Sequence, residues 1–160
     1  MSHKKLIVSA PRAQRAVKKV RMIRHSKLPK DILDRIQYAA NYLETSNDVL
    51  FAYLFGGLSK GEPKPLSDVD IAVYLSENAE CIQAKSEIIE NLVDILRTDE
   101  IDVIILNQSS LSLSMNVLKN NRVLVDKKPF RRHTYQSLIF RKYFDFNKFE
   151  SNILKRRFYG

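Results

Sequence analysis

Two aspartates, Asp68 and Asp70, stand two residues apart at the head of an apolar run, Val69 to Leu75, rich in β-branched residues. In a strand, residues i and i+2 face the same side, so both carboxylates point one way. Like charges that close repel, and the usual remedies are a shared proton or a cation between them. Magnesium takes one or two protein carboxylates and completes its shell with phosphate oxygens, so such a pair suits a polyphosphate substrate. The stretch before the aspartates fits that chemistry. Gly56 to Pro65 holds three of the four glycines and two of the five prolines of the chain, which marks a loop. Glycines let backbone N–H groups come close to phosphate oxygens, which makes Gly56 and Gly57 candidate phosphate contacts. Lys60 adds a mobile positive charge, and Ser67, just before the first aspartate, is a candidate supporting hydroxyl. The loop matches neither common phosphate-binding pattern, since no Gly-Lys-Ser/Thr run and no Gly-x-Gly-x-x-Gly is present.

The surrounding pattern supplies the elements that must hold these residues. Phe51 to Phe55 is a short aromatic and apolar run that reads as a buried strand, and Asp68 to Leu75 reads as a second. Pro29 and Asp31 open a helix whose stripe is Ile32, Leu33, Ile36, Ala40 and Leu43, ending near residues 45–48. Glu80 to Arg97 reads as the clearest helix, with Ile82, Ile89, Leu92, Val93 and Leu96 on one face as core. Ile101 to Leu106 is a third strand, Ser109 to Asn120 a short helix with Leu111, Met115 and Leu118 inward, and Val123 to Val125 a fourth strand. Pro129 to Tyr159 is a basic, aromatic helical tail with a bend expected near residues 145–147. Its apolar surface comes from Tyr135, Leu138, Ile139, Tyr143, Phe146, Phe149, Ile153 and Phe158. The plain reading of the tail is one packed stripe with solvated bases, and a partner-binding face stands beside it. This order predicts an α/β (α+β) fold, a small mixed sheet with helices mainly on one face.

The whole chain sets further bounds. Its 160 residues make one domain with a real core. The expected division is a basic, flexible extension over 1–28, a core over 29–128, and a basic helical segment over 129–160 of the same domain. No apolar run reaches the ~20 residues of a membrane span, and the apolar start ends at Pro11, too short for a secretory signal. A single cysteine, Cys81, permits no internal disulfide and points to the cytoplasm. The three histidines are scattered and make no zinc site. The net charge of +9 is uneven: +10 over residues 1–30, −9 over 31–126 and +8 over 127–160. The distribution suggests an acidic enzyme core with basic appendages. The N-terminal run reads either as a solvated tail or as an arm on RNA or an acidic partner.

Gly56-Gly57, ten residues, then Asp68-Val69-Asp70 resembles the nucleotidyltransferase signature Gly-Ser-x10-Asp-x-Asp. Leu54-Phe55-Gly56-Gly57 and Pro65-Leu66-Ser67-Asp68-Val69-Asp70-Ile71-Ala72-Val73 are similar to the minimal nucleotidyltransferases (MNT, MntA-like antitoxins) of the polymerase-β superfamily. The similarity runs over about residues 31 to 158. It implies the polymerase-β-type nucleotidyltransferase fold and a third carboxylate on a strand beside the pair. Ile101-Asp102-Val103 followed by Leu106-Asn107 looks like that segment, whereas a lone strand-opening aspartate is ordinarily a turn residue. By this resemblance Asp68, Asp70 and Asp102 are catalytic and hold Mg²⁺, two ions, while ATP is the substrate. The implied partner is a HEPN-domain ribonuclease toxin, HepT, whose tyrosine hydroxyl receives AMP and which is thereby silenced. The pattern departs at one place: the family's serine, whose hydroxyl contacts a phosphate, is replaced by Gly57, leaving only backbone donors. Two other readings stand beside this one, an antitoxin that inhibits by binding alone, and a nucleotidyltransferase of small molecules.

Overall fold

A computed structural model describes the backbone of residues 28–61 and 67–159, with side chains to residue 149. The extension expected over residues 1–28 lies outside the described residues except for Leu28, which packs against the core. In chain order the elements are α1 (Ile32–Thr45), β1 (Val49–Phe55), a one-turn 3-10 segment (Gly57–Lys60), β2 (Val69–Leu75) and α2 (Cys81–Leu96). They continue with β3 (Ile101–Ile105), a short 3-10 turn (Leu106–Gln108), α3 (Leu111–Lys119), β4 (Asn121–Asp126) and α4 (Pro129–Tyr159). The sheet order is β3-β2-β1-β4. β1 pairs antiparallel with both β2 and β4, while β2 and β3 run parallel. Parallel neighbours need a long crossover, and α2 supplies it.

Alternation along the strands divides the core in two. Val69, Ile71, Val73 and Leu75 of β2 meet α1 and α2 together with Ala52 and Leu54 of β1. Ala72 of β2 and Phe51, Tyr53 and Phe55 of β1 meet α3 and Ile139 of α4 on the other side. Val49 joins the α1/α2 side although it lies three residues before Ala52. A register irregularity between Val49 and Phe51 accounts for this, because one extra residue in a strand reverses which face follows. The expected small mixed sheet is thus present, but its helices cover both faces rather than mainly one.

The helices keep their expected spans while turning slightly about their axes. In α1 Ala39 is buried in the core, and Leu33 is left 39% exposed. In α2 the inward row is Ala84, Ile88, Leu92 and Leu96, four residues apart; Leu92 and Leu96 are buried as expected, while Ala84 and Ile88 take the place of Ile82, which is 77% exposed. Both rows, that of Ala84 and that of Ile82, are apolar, so periodicity alone does not choose between them; Ala84 lies in the core cluster on the α1/α2 side. α3 begins where Ser110 caps it by accepting a hydrogen bond from the Leu113 N–H at 3.3 Å. α4 is assigned as one continuous helix through residues 145–147, where a bend is expected. Its first half is clamped by aromatic contacts: Tyr135 lies 5.2 Å from Tyr74 and 5.9 Å from Phe51, ring to ring. The Tyr135 hydroxyl donates to Ser114 Oγ at 2.9 Å. Tyr135, Ile139 and Tyr143 face the sheet, whereas Leu138, Phe146 and Phe149 are exposed. The side chains of Ile153 and Phe158 lie outside the described ones.

Candidate active site

Three ends of neighbouring strands meet at one place: the end of β1 and the starts of β2 and β3. Phe55 pairs with Asp70 across β1 and β2, and Asp70 with Asp102 across β2 and β3. Because β2 and β3 are parallel and in that register, two carboxylates far apart in sequence become direct cross-strand neighbours. Asp70 shares its face with Ala72, and Asp102 shares its face with Ile104, which is the side that carries α3 and α4. Asp68 and Asp102 are exposed and Asp70 is half-buried.

The electrostatics follow from that placement. Asp70 has its pKa pushed up from 3.8 to about 6, first by burial and then by the negative charges of Asp68 and Asp102. Among the described residues no Lys or Arg ion pair reaches these three carboxylates. Asp68, Asp70 and Asp102 thus repel one another, and a cation between them would relieve that repulsion. Among the described residues no three acidic, His or Cys side chains form a ready-made metal cage. Magnesium does not require one, since it is held by one or two carboxylates plus substrate phosphates. The donor set thus fits a divalent cation that arrives with a polyphosphate.

Gly56 closes this site from the β1 side. Its φ of 69° and ψ of −151° lie in a region that only glycine occupies readily. A Cβ there would stand 2.2 Å from Asp70 Oδ2, so the backbone touches the carboxylate and leaves no room for a side chain. Gly57 differs: among the described residues a Cβ would meet only Ser67 Oγ, at 3.7 Å, an ordinary contact. Ser67 thus adjoins the glycine turn, as its position before Asp68 suggested. The turn is pinned from below by the fully buried Leu58 and closed by Ser59, whose hydroxyl donates to the Gly56 carbonyl at 2.7 Å. Sequence reasoning passed over Ser59, although a serine two residues past a glycine pair is a common local turn former. Lys60 ends the turn on the surface and is not among the charges acting on Asp70. Gly56, Gly57, Ser67, Asp68, Asp70 and Asp102 are therefore brought together, and Lys60 stands at the far end of the same turn.

The opposite end of β2 is fastened separately. The Asn107 side chain accepts from the Leu75 N–H at 2.8 Å and donates to the Leu75 carbonyl at 2.9 Å. This double bond ties the exit of β3 to the exit of β2 and so supports their mutual register.

Comparison with known proteins agrees with the geometry. No match is found among curated proteins. Several solved structures are similar in fold. A chain of a mutant MntA–HpeT toxin–antitoxin complex superposes with a TM-score of 0.62 at 20% identity, covering 75% of this chain and 96% of that one. A chain of a toxin–antitoxin complex with AMP-PNP gives 0.61 at 21% identity, covering 75% and 96%. A chain from the complex of tri-AMPylated Shewanella oneidensis HEPN toxin with MNT antitoxin gives 0.56 at 20% identity, covering 76% and 97%. Among the described residues no helix is long and apolar enough to cross a membrane. The profile of the family "Polymerase beta, Nucleotidyltransferase" matches residues 37–130, from within α1 to the start of α4 and across all three aspartates. This chain belongs to the polymerase beta nucleotidyltransferase family.

Proposed function

We propose that the protein is an antitoxin that transfers AMP from ATP to a tyrosine hydroxyl of a HEPN-family ribonuclease toxin, in the cytoplasm. The observation that carries this reading is the cross-strand pairing of Asp70 with Asp102 beneath Gly56, in a patch of negative charge that no Lys or Arg ion pair reaches among the described residues. Asp68 and Asp70 would hold Mg²⁺ with the triphosphate, and Asp102 would share in holding a second ion. Bound there, the metal would offset the charge of the phosphates and of the carboxylates. The backbone N–H groups of Gly56 and Gly57 would donate to the leaving phosphates, and Ser67 adjoins the same turn. The acceptor oxygen forms a bond to the α-phosphorus while the bond from that phosphorus to the bridging oxygen breaks. Pyrophosphate leaves, and the hydroxyl proton passes to the Asp102 carboxylate and on to solvent. Similarity to a complex of MNT antitoxin with tri-AMPylated HEPN toxin supports a HEPN toxin as the acceptor protein.

The test is intact mass of the candidate toxin after coexpression with this protein and, separately, with its Asp68→Asn form. Mass gains of one or more AMP units, absent with the mutant, are expected. An unmodified toxin that copurifies and loses its ribonuclease activity would replace this reading with inhibition by binding alone, which the glycine at position 57 favours.

A further inference from the structure

A cleft of about 560 Å³ opens beside β3, and its walls come from both layers of the molecule. Val103 and Ile105, which face the α1/α2 core, line it together with Ile104, which faces the α3/α4 core. Consecutive strand residues that point to opposite faces share a cavity only if it runs along the edge of the strand. That edge is open: β3 is the last strand of the sheet and pairs only with β2 among the described residues. Ile82 and Lys85 of α2 form one wall and Leu113 of α3 the other. Ile82 is the residue that the periodicity of α2 assigns to the core, yet it stands 77% exposed here.

The cleft also reaches Asp102, and it reaches neither Gly56, Gly57, Asp68 nor Asp70. It therefore approaches the site from the side away from the glycine turn. Resting on the function proposed above, we infer that this cleft is the acceptor subsite, taking an extended polypeptide segment that pairs with β3 as an added strand. An edge strand offers a row of free backbone N–H and C=O groups to such a segment, and alternate side chains of the segment enter pockets on either side. Its hydroxyl-bearing residue lies opposite Asp102, and an apolar neighbour covers Ile82. The continuity of the cleft with Asp102 selects an acceptor segment over a second copy of this chain.

The full-length protein is incubated with Mg²⁺, labelled ATP and a randomised nonapeptide library carrying a fixed central tyrosine. Kinetics are then measured on the best-labelled peptide. Ile82→Glu is expected to raise the peptide KM by about ten-fold or more, because a charge opposes the apolar contact, with ATP affinity unchanged. N-methylation of alternate peptide amides is expected to act the same way, and saturating peptide to slow alkylation of Cys81, which lines the cleft and is the only cysteine. An equal KM in the wild type and Ile82→Glu, with Cys81 alkylated at the same rate, would overturn the inference. Binding of ATP that depends on Asp68 and Asp70, with no peptide labelled, would overturn it too and leave the catalytic reading standing. Absence of ATP binding would instead remove the reading on which it rests.

Discussion

Replacing Asp70 by asparagine keeps the shape of the side chain and removes its charge. In the folded protein the carboxyl group titrates near 6, against 3.8 when unperturbed. The native state therefore binds the proton more tightly than the unfolded chain. The stability associated with the protonated form is fully present below about 3.8 and is lost as the pH rises through about 6. At 1.36 kcal/mol per pK unit the full difference is about 3 kcal/mol. Because Asp70 is only half-buried, solvent screening reduces it to about 1–2 kcal/mol. Asp70→Asn imitates the protonated form at every pH. Thermal unfolding in EDTA should then show the variant gaining on the wild type by about 3–6 °C in Tm between pH 4 and pH 8. The comparison between the two pH values matters, because it cancels any fixed difference between the two side chains. A Tm difference that is the same at both pH values would refute the argument that burial and the neighbouring carboxylates strain Asp70. Addition of Mg²⁺ above pH 6 should stabilise the wild type more than the variant.

Further outcomes follow from the same geometry. Gly56→Ala should lower stability by about 1–3 kcal/mol, from the backbone region it occupies and the clash with Asp70, and should abolish nucleotide binding; denaturation and titration with ATP check both. Gly57→Ser, which restores the serine of the family pattern, should leave Tm within about 2 °C, since the nearest atom to the new Cβ is 3.7 Å away, and should raise the transfer rate. Asn107→Ala removes both bonds to Leu75 and should cost about 1–3 kcal/mol in urea denaturation, with transfer reduced only as far as the β2–β3 register loosens.

Local pattern was enough for much of this chain. Strand alternation, the glycine-rich loop and the 3.6-residue stripes are properties of neighbouring residues, so every strand and α-helix from α1 to α4 could be read within a few residues of its limits, whereas the two 3-10 turns could not. The closeness of Asp68 to Asp70 is likewise expected from their spacing, although Asp68 stands just before β2, and the loop before it follows from glycine and proline content. Periodicity in α2 picked out Leu92 and Leu96 but took Ile82 for the core in place of Ala84 and Ile88. The choice depends on the sheet the helix meets, which put Ala84 and Ile88 inside and left Ile82 at the cleft. Nor could periodicity divide the helices between the two faces, because each strand residue signals only that it is buried, not which helix covers it. The importance of Asp102 is the clearest case. As a lone aspartate at the start of a strand it reads as a turn residue, and only resemblance to a family marked it. Its approach to Asp70 is made by parallel pairing across the α2 crossover, a contact between residues 32 positions apart. Composition and spacing thus determined which residues could do chemistry; the long-range register of β2 on β3 decided that they stand together.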